Sequence, residues 1–304
     1  MKVMRLIGFL FLVVLLGALF AGDIPKILVL NSNATVEKYR IAQEAFKQSI
    51  SLPVREIHLE ESHWKISKIE ELLYDEYPDL IYCIGTKAFL IASKYVSERN
   101  IVFSSIVNWP RWPVAENSYG VSNELHPGMQ LTLFRYIFPS IKRIGILYSK
   151  QYNREWFQET STLSGGMGIE IVGRPIHKSM HVISGLKDLI AGIDALWLIS
   201  DPVIMPDKDA IEAIFKTCEV SRVPVFTYHD AFADYGATLI VSVDDPTIGR
   251  QAADIAREVL SEKESGEKVQ LPAGSSIILN LRRVSAIGLP YNEAALSAVN
   301  QIIE

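Results

Sequence analysis

The sequence predicts an α/β protein built as two lobes, and three observations carry that expectation. From Lys26 onward short apolar runs alternate with amphipathic stretches at fairly even spacing, the pattern of strands and helices wound around a parallel sheet. The alternation runs through twice, as two series of similar length separated by one short connection at Tyr119–Ser122. The chain has 304 residues, more than the ~100–200 usual for one domain.

The first series reads as strands at Lys26–Leu30, Val54–Leu59, Leu80–Ile84 and Ile101–Ile106. Between them Val36–Ser49, Ile66–Tyr74 and Lys87–Ser97 carry apolar residues at helical period, and Ile41, Ala45, Phe46 and Ile50 fall on one face. The connection holds Tyr119-Gly-Val-Ser122 and a helix over Pro127–Phe138. The second series predicts strands at Arg143–Leu147, Glu170–Gly173, Ala195–Ile199 and Val225–Thr227, with helices at Trp156–Leu163, Val182–Ala191 and Lys208–Val220. A strand at Thr238–Val243, a helix at Thr247–Ser261, a charged turn at Glu262–Lys268, a strand at Ser276–Asn280 and a terminal helix at Glu293–Ile303 complete it.

The first 22 residues stand apart. Lys2 and Arg5 precede an unbroken apolar run from Leu6 to Phe20, the layout of a secretory signal with Ala21 near a cleavage point. Retention as an N-terminal anchor is the alternative, although the run is short of the ~20 residues of a spanning helix. Without Lys2 and Arg5 the chain holds 28 basic and 35 acidic side chains. Such an acidic balance argues against a nucleic-acid partner, which needs clustered Lys and Arg. Cys83 and Cys218 fall in different lobes and read as small buried hydrophobes, without a disulfide or a zinc site. The six histidines are scattered, and His177 with His181 lies in a segment too irregular for a metal pair.

Ligands of parallel sheets bind beyond the carboxyl ends of strands, so the loops there nominate the site. They are Asn31-Ser-Asn33, Gly85-Thr86, Val107-Asn-Trp109, Tyr148-Ser-Lys150, Ser200-Asp201, Tyr228-His-Asp230 and Asp244-Asp245. Asn31, Ser32, Thr86, Ser149 and Ser200 suit two roles, capping a helix or, with an exposed helix N-terminus, receiving a ligand carboxylate. Asp201 and Asp244 are candidates for holding a ligand ammonium group, although either also suits a turn or a helix start. Trp109, Tyr148 and Tyr228 offer faces for a flat ligand, while Trp112 and Trp156 read as packing. Asn108 and His229 join the candidates through their loops. Leu163-Ser-Gly-Gly-Met167 reads as a helix end with a glycine turn, because no phosphate loop accompanies it; no nucleophile elbow or dinucleotide fingerprint occurs either. Nothing in the sequence points to an enzyme, a cofactor or a metal.

Several short stretches in characteristic order resemble one family: Gly120-Val-Ser122, Phe138-Pro-x-x-Lys142-Arg-Ile-Gly-Ile-Leu-Tyr148, Ile193-Asp-Ala195, Val223-Pro-Val-Phe226, Ile248-Gly-Arg-Gln251, Leu279-Asn-Leu281 and Ala286-Ile-Gly-Leu-Pro290. Together they are similar to the ABC-transporter substrate-binding family that includes periplasmic tryptophan- and tyrosine-binding proteins. The resemblance implies a type I periplasmic-binding fold, two Rossmann-like lobes joined by a multi-strand hinge. It places 23–121 with 246–272 in one lobe and 122–245 with 273–304 in the other. It further implies a monomeric exported protein that closes on a small ligand, an amino acid or a related molecule, and delivers it to a membrane ABC permease. A sensing module that presents its bound state to a membrane receptor or kinase is the alternative. Ser200-Asp201 matches a Thr-Asp pair of the family, Asp244 an acidic position before its Gly-Arg-Gln helix, and Thr86 a frequent threonine. Where the family often reads Thr-Asp-Pro, this chain has Val107-Asn108-Trp109, exchanging an acid for an indole; Asn31-Ser32-Asn33 also departs from the commoner pattern.

Overall fold

The computed structural model describes residues 24–61, 65–96, 98–112, 114–262 and 266–304. The leader, His63 and the end of the helix expected at Lys87–Ser97 lie outside them.

Two sheets organise the described chain. The first is formed by β1 (Ile27–Asn31), β2 (Val54–His58), β3 (Leu80–Ile84), β4 (Asn100–Ser104), β5 (Ser118–Val121) and the short β11 (Val269–Gln270). All its pairings are parallel, in the order β11-β5-β4-β3-β1-β2. The second contains β6 (Arg143–Tyr148), β7 (Glu170–Pro175), β8 (Ala195–Trp197), β9 (Val225–Thr227), β10 (Leu239–Val243), β12 (Ser275–Asn280) and β13 (Gln301–Ile303), in the order β13-β12-β10-β9-β8-β6-β7. It is parallel except where β12 runs against β10. The predicted α/β class with two lobes is what the chain adopts.

The central strands of each sheet are buried on both faces, which is why they read as continuous apolar runs. In β1 Leu28 and Leu30 join one core while Ile27 and Val29 join another, following the period of two of a strand. Helices α2 (Ile66–Glu76) and α3 (Thr86–Tyr95) cover the first of these faces, and α1 (Glu37–Ile50) covers the second, where Phe46 stacks on Tyr82 at 4.1 Å. The second sheet lies between α4 (Pro127–Ile137) with α5 (Lys150–Gly165) on one side and α6 (Val182–Ile190) with α7 (Lys208–Val220) on the other.

The chain passes between the sheets three times. It leaves β5 at Val121 and enters α4, which packs on the second sheet. It leaves β10 at Val243 and turns directly into α8 (Asp245–Leu260), whose apolar face returns to α1 and the first sheet. After β11 it goes back to β12. At the second passage Asp244 accepts the Thr247 N–H at 3.0 Å as the helix cap, and its own N–H donates to the Gly274 carbonyl of the third passage. Contact between α8 and α1 is close enough that a Cβ at Gly249 would stand 2.2 Å from the Ala42 carbonyl oxygen.

Two expectations need correction. The terminal helix at Glu293–Ile303 is a 3-10 turn, Glu293–Ala298, followed by β13. Asn300 exchanges hydrogen bonds with Ile277, its N–H donating to the backbone carbonyl and its Oδ1 accepting the backbone N–H, so the sheet edge takes up a segment too short to be a stable lone helix. The helix expected from Trp156 starts at Lys150 instead and is bent at Asn153, whose φ of −131° is not helical. The bend interrupts the apolar period upstream of Trp156. An unpredicted helix, α9 (Leu281–Ile287), follows β12 directly, capped by Asn280 and closed by Gly288 at φ +67°.

Candidate ligand-binding site

A cavity of about 70 Å³ lies between the lobes. A water needs ~10–15 Å³ of such space, so the cavity suits a small ligand or the head of a larger one. Val107 and Asn108 bring in the first lobe from the loop after β4. Asn123, Glu124 and Leu125 come from the first passage, and Gln130 from α4. The second lobe supplies Asn153 and Trp156 of α5, Trp197, Ile199 and Ser200 at the end of β8, Tyr228 after β9, and Val241–Val243 of β10.

Its aromatic wall is rigid. Trp197 is 1% exposed and meets Trp156 edge-on at 5.1 Å and Phe134 edge-on at 4.9 Å. Edge-to-face pairs of this kind fix ring orientation beyond what area burial provides.

Its polar wall is rich in acceptors. Glu124 accepts the Asn108 N–H on Oε1 and the Ser122 hydroxyl on Oε2, the latter at 2.8 Å. Burial holds its carboxyl above the usual range, against these two hydrogen bonds and the charge of Arg111. Gln130 is 6% exposed; its Nε2 donates to the Leu125 carbonyl at 3.1 Å, while its Oε1 is buried without a partner. The Asn123 Oδ1 is likewise buried and unpartnered. Each such orphan costs about 1–3 kcal/mol. Burial and the charge of Glu124 push the Tyr228 phenol up, opposed by its hydrogen bond with Ser200.

The lobes touch beside the cavity. Asn108 Nδ2 donates to Ser200 Oγ at 3.2 Å, and the Arg111 guanidinium lies 4.1 Å from the centre of the Tyr152 ring on α5. Asn108 adopts a left-handed backbone, φ 52°, at the start of the 3-10 turn Trp109–Arg111. Asparagine tolerates that conformation better than most residues.

The structure brings together three of the predicted residues, Asn108, Ser200 and Tyr228, as cavity lining. Asp201 stands behind the wall, 2% exposed. It accepts from the Ser149 N–H at 2.7 Å, the Ser149 hydroxyl at 2.8 Å, the Asn153 amide at 2.7 Å and the Val203 N–H at 2.9 Å. Asp201 and Ser149 thus hold Asn153 in the lining. Tyr148 stacks on Phe157 at 4.2 Å, inside the second lobe's core. Trp109 and Trp112 pack against the first lobe's core.

The remaining candidates sit elsewhere. Asn31 is tied to Gln43 and to the Asn33 N–H, and Ser32 Oγ caps α3 by accepting from Ala88 N at 2.9 Å. Thr86 opens α3, partly exposed. His229 Nδ1 lies 2.7 Å from an Asp230 oxygen and accepts the Ala231 N–H, and Asp244 caps α8. Sequence reasoning missed Asn123, Glu124, Gln130 and Asn153, and favoured packing over ligand contact for Trp156. One signal was present: Gln130 shares the buried stripe of α4 with Phe134 and Ile137, a polar residue at i, i+4, i+7 on an apolar face.

Among the described residues no group of three or more His, Cys, Asp or Glu side chains is placed to hold a metal ion. No described helix is long and apolar enough to cross a membrane.

Two open α/β sheets, three passages between them and a cavity lined from both sides define a bilobal binding protein of the type I periplasmic kind. The chain belongs to the ABC transporter substrate binding protein family, whose model matches residues 55–303. This is a binding family, not an enzymatic one. A tyrosine-binding protein of Clostridioides difficile (strain R20291) is 23% identical over 221 residues; the match covers 69% of this chain and 63% of that relative's length. A ligand-free, open substrate binding protein with adhesive properties from Clostridium difficile shares the fold at a TM-score of 0.70 and 16% identity, over 92% of this chain and 99% of that one. So does an ABC domain in complex with L-Trp from Streptococcus pneumonia, at 0.63 and 17%, over 92% and 99%.

Proposed function

We propose that this protein is exported through its N-terminal segment, as a cleaved form or an anchored one, and captures an amino acid with an aromatic or large apolar side chain between its lobes. The observation that carries the reading is the cavity itself, where the Trp156–Trp197 pair provides an apolar wall and Glu124 contributes a carboxyl group to the same lining. The names of similar proteins, one tyrosine-binding and one solved with L-Trp, point to the same ligand class.

Capture works by closure. The second lobe supplies most of the lining, so a ligand docks there first, and the first lobe closes over it through Asn108. The passages at Val121–Pro127, Val243–Asp245 and Gln270–Ser275 form the hinge. The closed monomer then presents a surface spanning both lobes to an ABC permease, and no chemistry occurs on the ligand. A cavity of this size implies that an aromatic amino acid enters only after the lobes part.

A thermal-shift screen of the twenty amino acids tests the reading. L-tryptophan, L-tyrosine or another large apolar amino acid is expected to raise Tm by several degrees, and the absence of a shift with any amino acid contradicts it. Delivery is checked separately: removing the gene should abolish cellular uptake of the ligand so identified, and unchanged uptake would argue against transport.

A further inference from the structure

We propose that Gln130 Oε1, Asn123 Oδ1 and Glu124 form an ammonium subsite, so that the cavity selects its ligand by the amine and not by the carboxylate. The inference rests on the amino-acid reading above and names the group that the cavity recognises.

Helix α4 carries an anomaly. Gln130 lies on the helix's buried stripe, and its Nε2 is committed to the Leu125 carbonyl. Turning the amide over would set oxygen against oxygen, so Oε1 is the free end by necessity. Among the described residues that oxygen has no partner, nor has the Asn123 Oδ1 in the same lining. A buried acceptor without a donor is rare in native proteins, and one that lines a cavity calls for a ligand that brings N–H groups; the Asn123 amide can present its oxygen to the same group. Glu124 adds charge: each of its oxygens takes one hydrogen bond and retains a lone pair.

An ammonium has three donors and one positive charge, matching two neutral acceptors and one carboxylate. No Lys or Arg lines the cavity. Arg111 is the cation within electrostatic reach of Glu124, and it lies outside the lining, over Tyr152. A ligand carboxylate therefore faces toward Arg111, and the apolar body lies along Trp156 and Trp197. A cation arriving beside Glu124 opposes the burial that holds its carboxyl up.

Calorimetric titrations of the whole protein with L-tryptophan, tryptamine and indole-3-propionate test the assignment. Tryptamine, which lacks the carboxylate, should bind within about tenfold of L-tryptophan; indole-3-propionate, which lacks the amine, should lose about a hundredfold or more, as expected for leaving a charge-assisted group unpaired. If L-tryptophan and indole-3-propionate bind alike, or tryptamine fails where L-tryptophan binds, the subsite is overturned while the amino-acid reading stands. If tryptamine binds and neither acid does, the subsite stands and the amino-acid reading falls. If none of the three binds to folded protein, and L-tyrosine with tyramine also fail, both are overturned. Gln130→Met and Glu124→Gln should each weaken the amines about tenfold or more while leaving the weak binding of indole-3-propionate unchanged or tighter. Equal loss for amine and acid in variants of unchanged circular dichroism would reduce both residues to a structural role.

Discussion

Among single residues, Asp201 stands behind the cavity wall and fixes Asn153 of the lining. Four donors converge on it, two of them from Ser149 and one from Asn153. Asp201→Ala should destabilise the fold by about 3 kcal/mol, since hydrogen bonds to a buried charge are among the more valuable ones and their donors would be orphaned. It should also weaken ligand binding by freeing Asn153. Denaturant melts and titration of the same variant separate the two effects; unchanged stability would contradict this role.

Asp245 gives a pH-dependent counterpart. It follows the α8 cap, its Oδ1 is buried without a partner, and burial raises its carboxyl from 3.8 to about 6. Lys38 on α1 and His229 oppose the shift, while Asp230 and Asp244 reinforce it. A carboxyl raised on folding favours the folded state when protonated, so the stabilisation is complete below about pH 4 and is lost as pH rises through about 6. Asp245→Asn should therefore raise ligand-free stability at pH 8, on the order of 1 kcal/mol after allowing for partial solvent screening, and leave it nearly unchanged at pH 4. Melting curves at both pH values check this, and an equal gain at both would contradict it.

Among elements, the contact between α1 and α8 is the tightest constraint. Helix α8 belongs in sequence to the end of the second series, yet its small face of Gly249, Ala252, Ala253 and Ala256 lies in the first lobe. The glycine is required because a Cβ would meet the Ala42 carbonyl and the Ala45 methyl, both fixed by α1. Gly249→Ala should cost about 1–3 kcal/mol by forcing the helices apart, with a fall in Tm of several degrees. A variant as stable as the parent would place the two helices further apart than described.

The elements were legible in the sequence where burial on both faces makes strands continuous and helices strongly periodic, as in β1, β3 and α1. Legibility failed for physical reasons at several places. Asn153 bends α5 and breaks its period; β13 is chosen by the free edge of β12 and not by local propensity; β11 has only two residues and exists because β5 offers it partners. The site followed the same division. Asn108, Ser200 and Tyr228 were visible because they end strands, whereas Trp197 looks like core and Gln130 shows only as a polar residue on the apolar stripe of α4. Asn31, Ser32 and Asp244 illustrate the opposite case, strand-end polar residues whose hydrogen bonds close turns and caps.

For the whole molecule, the lobes are joined by three passages and meet again at Asn108–Ser200 and Arg111–Tyr152. Two such polar contacts are weak enough to open without cost to either core, which is the requirement for admitting a ligand larger than the present cavity. The apolar cores of the two lobes, by contrast, lie on the faces of separate sheets. Small-angle scattering should report a radius of gyration that falls on adding ligand, as lobes that part in solution close around it.

The account stands or falls on whether the cavity between the lobes holds an amino acid. Calorimetric titration of protein refolded free of ligand, with L-tryptophan and L-tyrosine in turn, addresses it most directly. One site per chain, with affinity lowered at least tenfold in Trp156→Ala, is the result expected; folded protein that gives no saturable heat with either, or that binds equally well without Trp156, would contradict it.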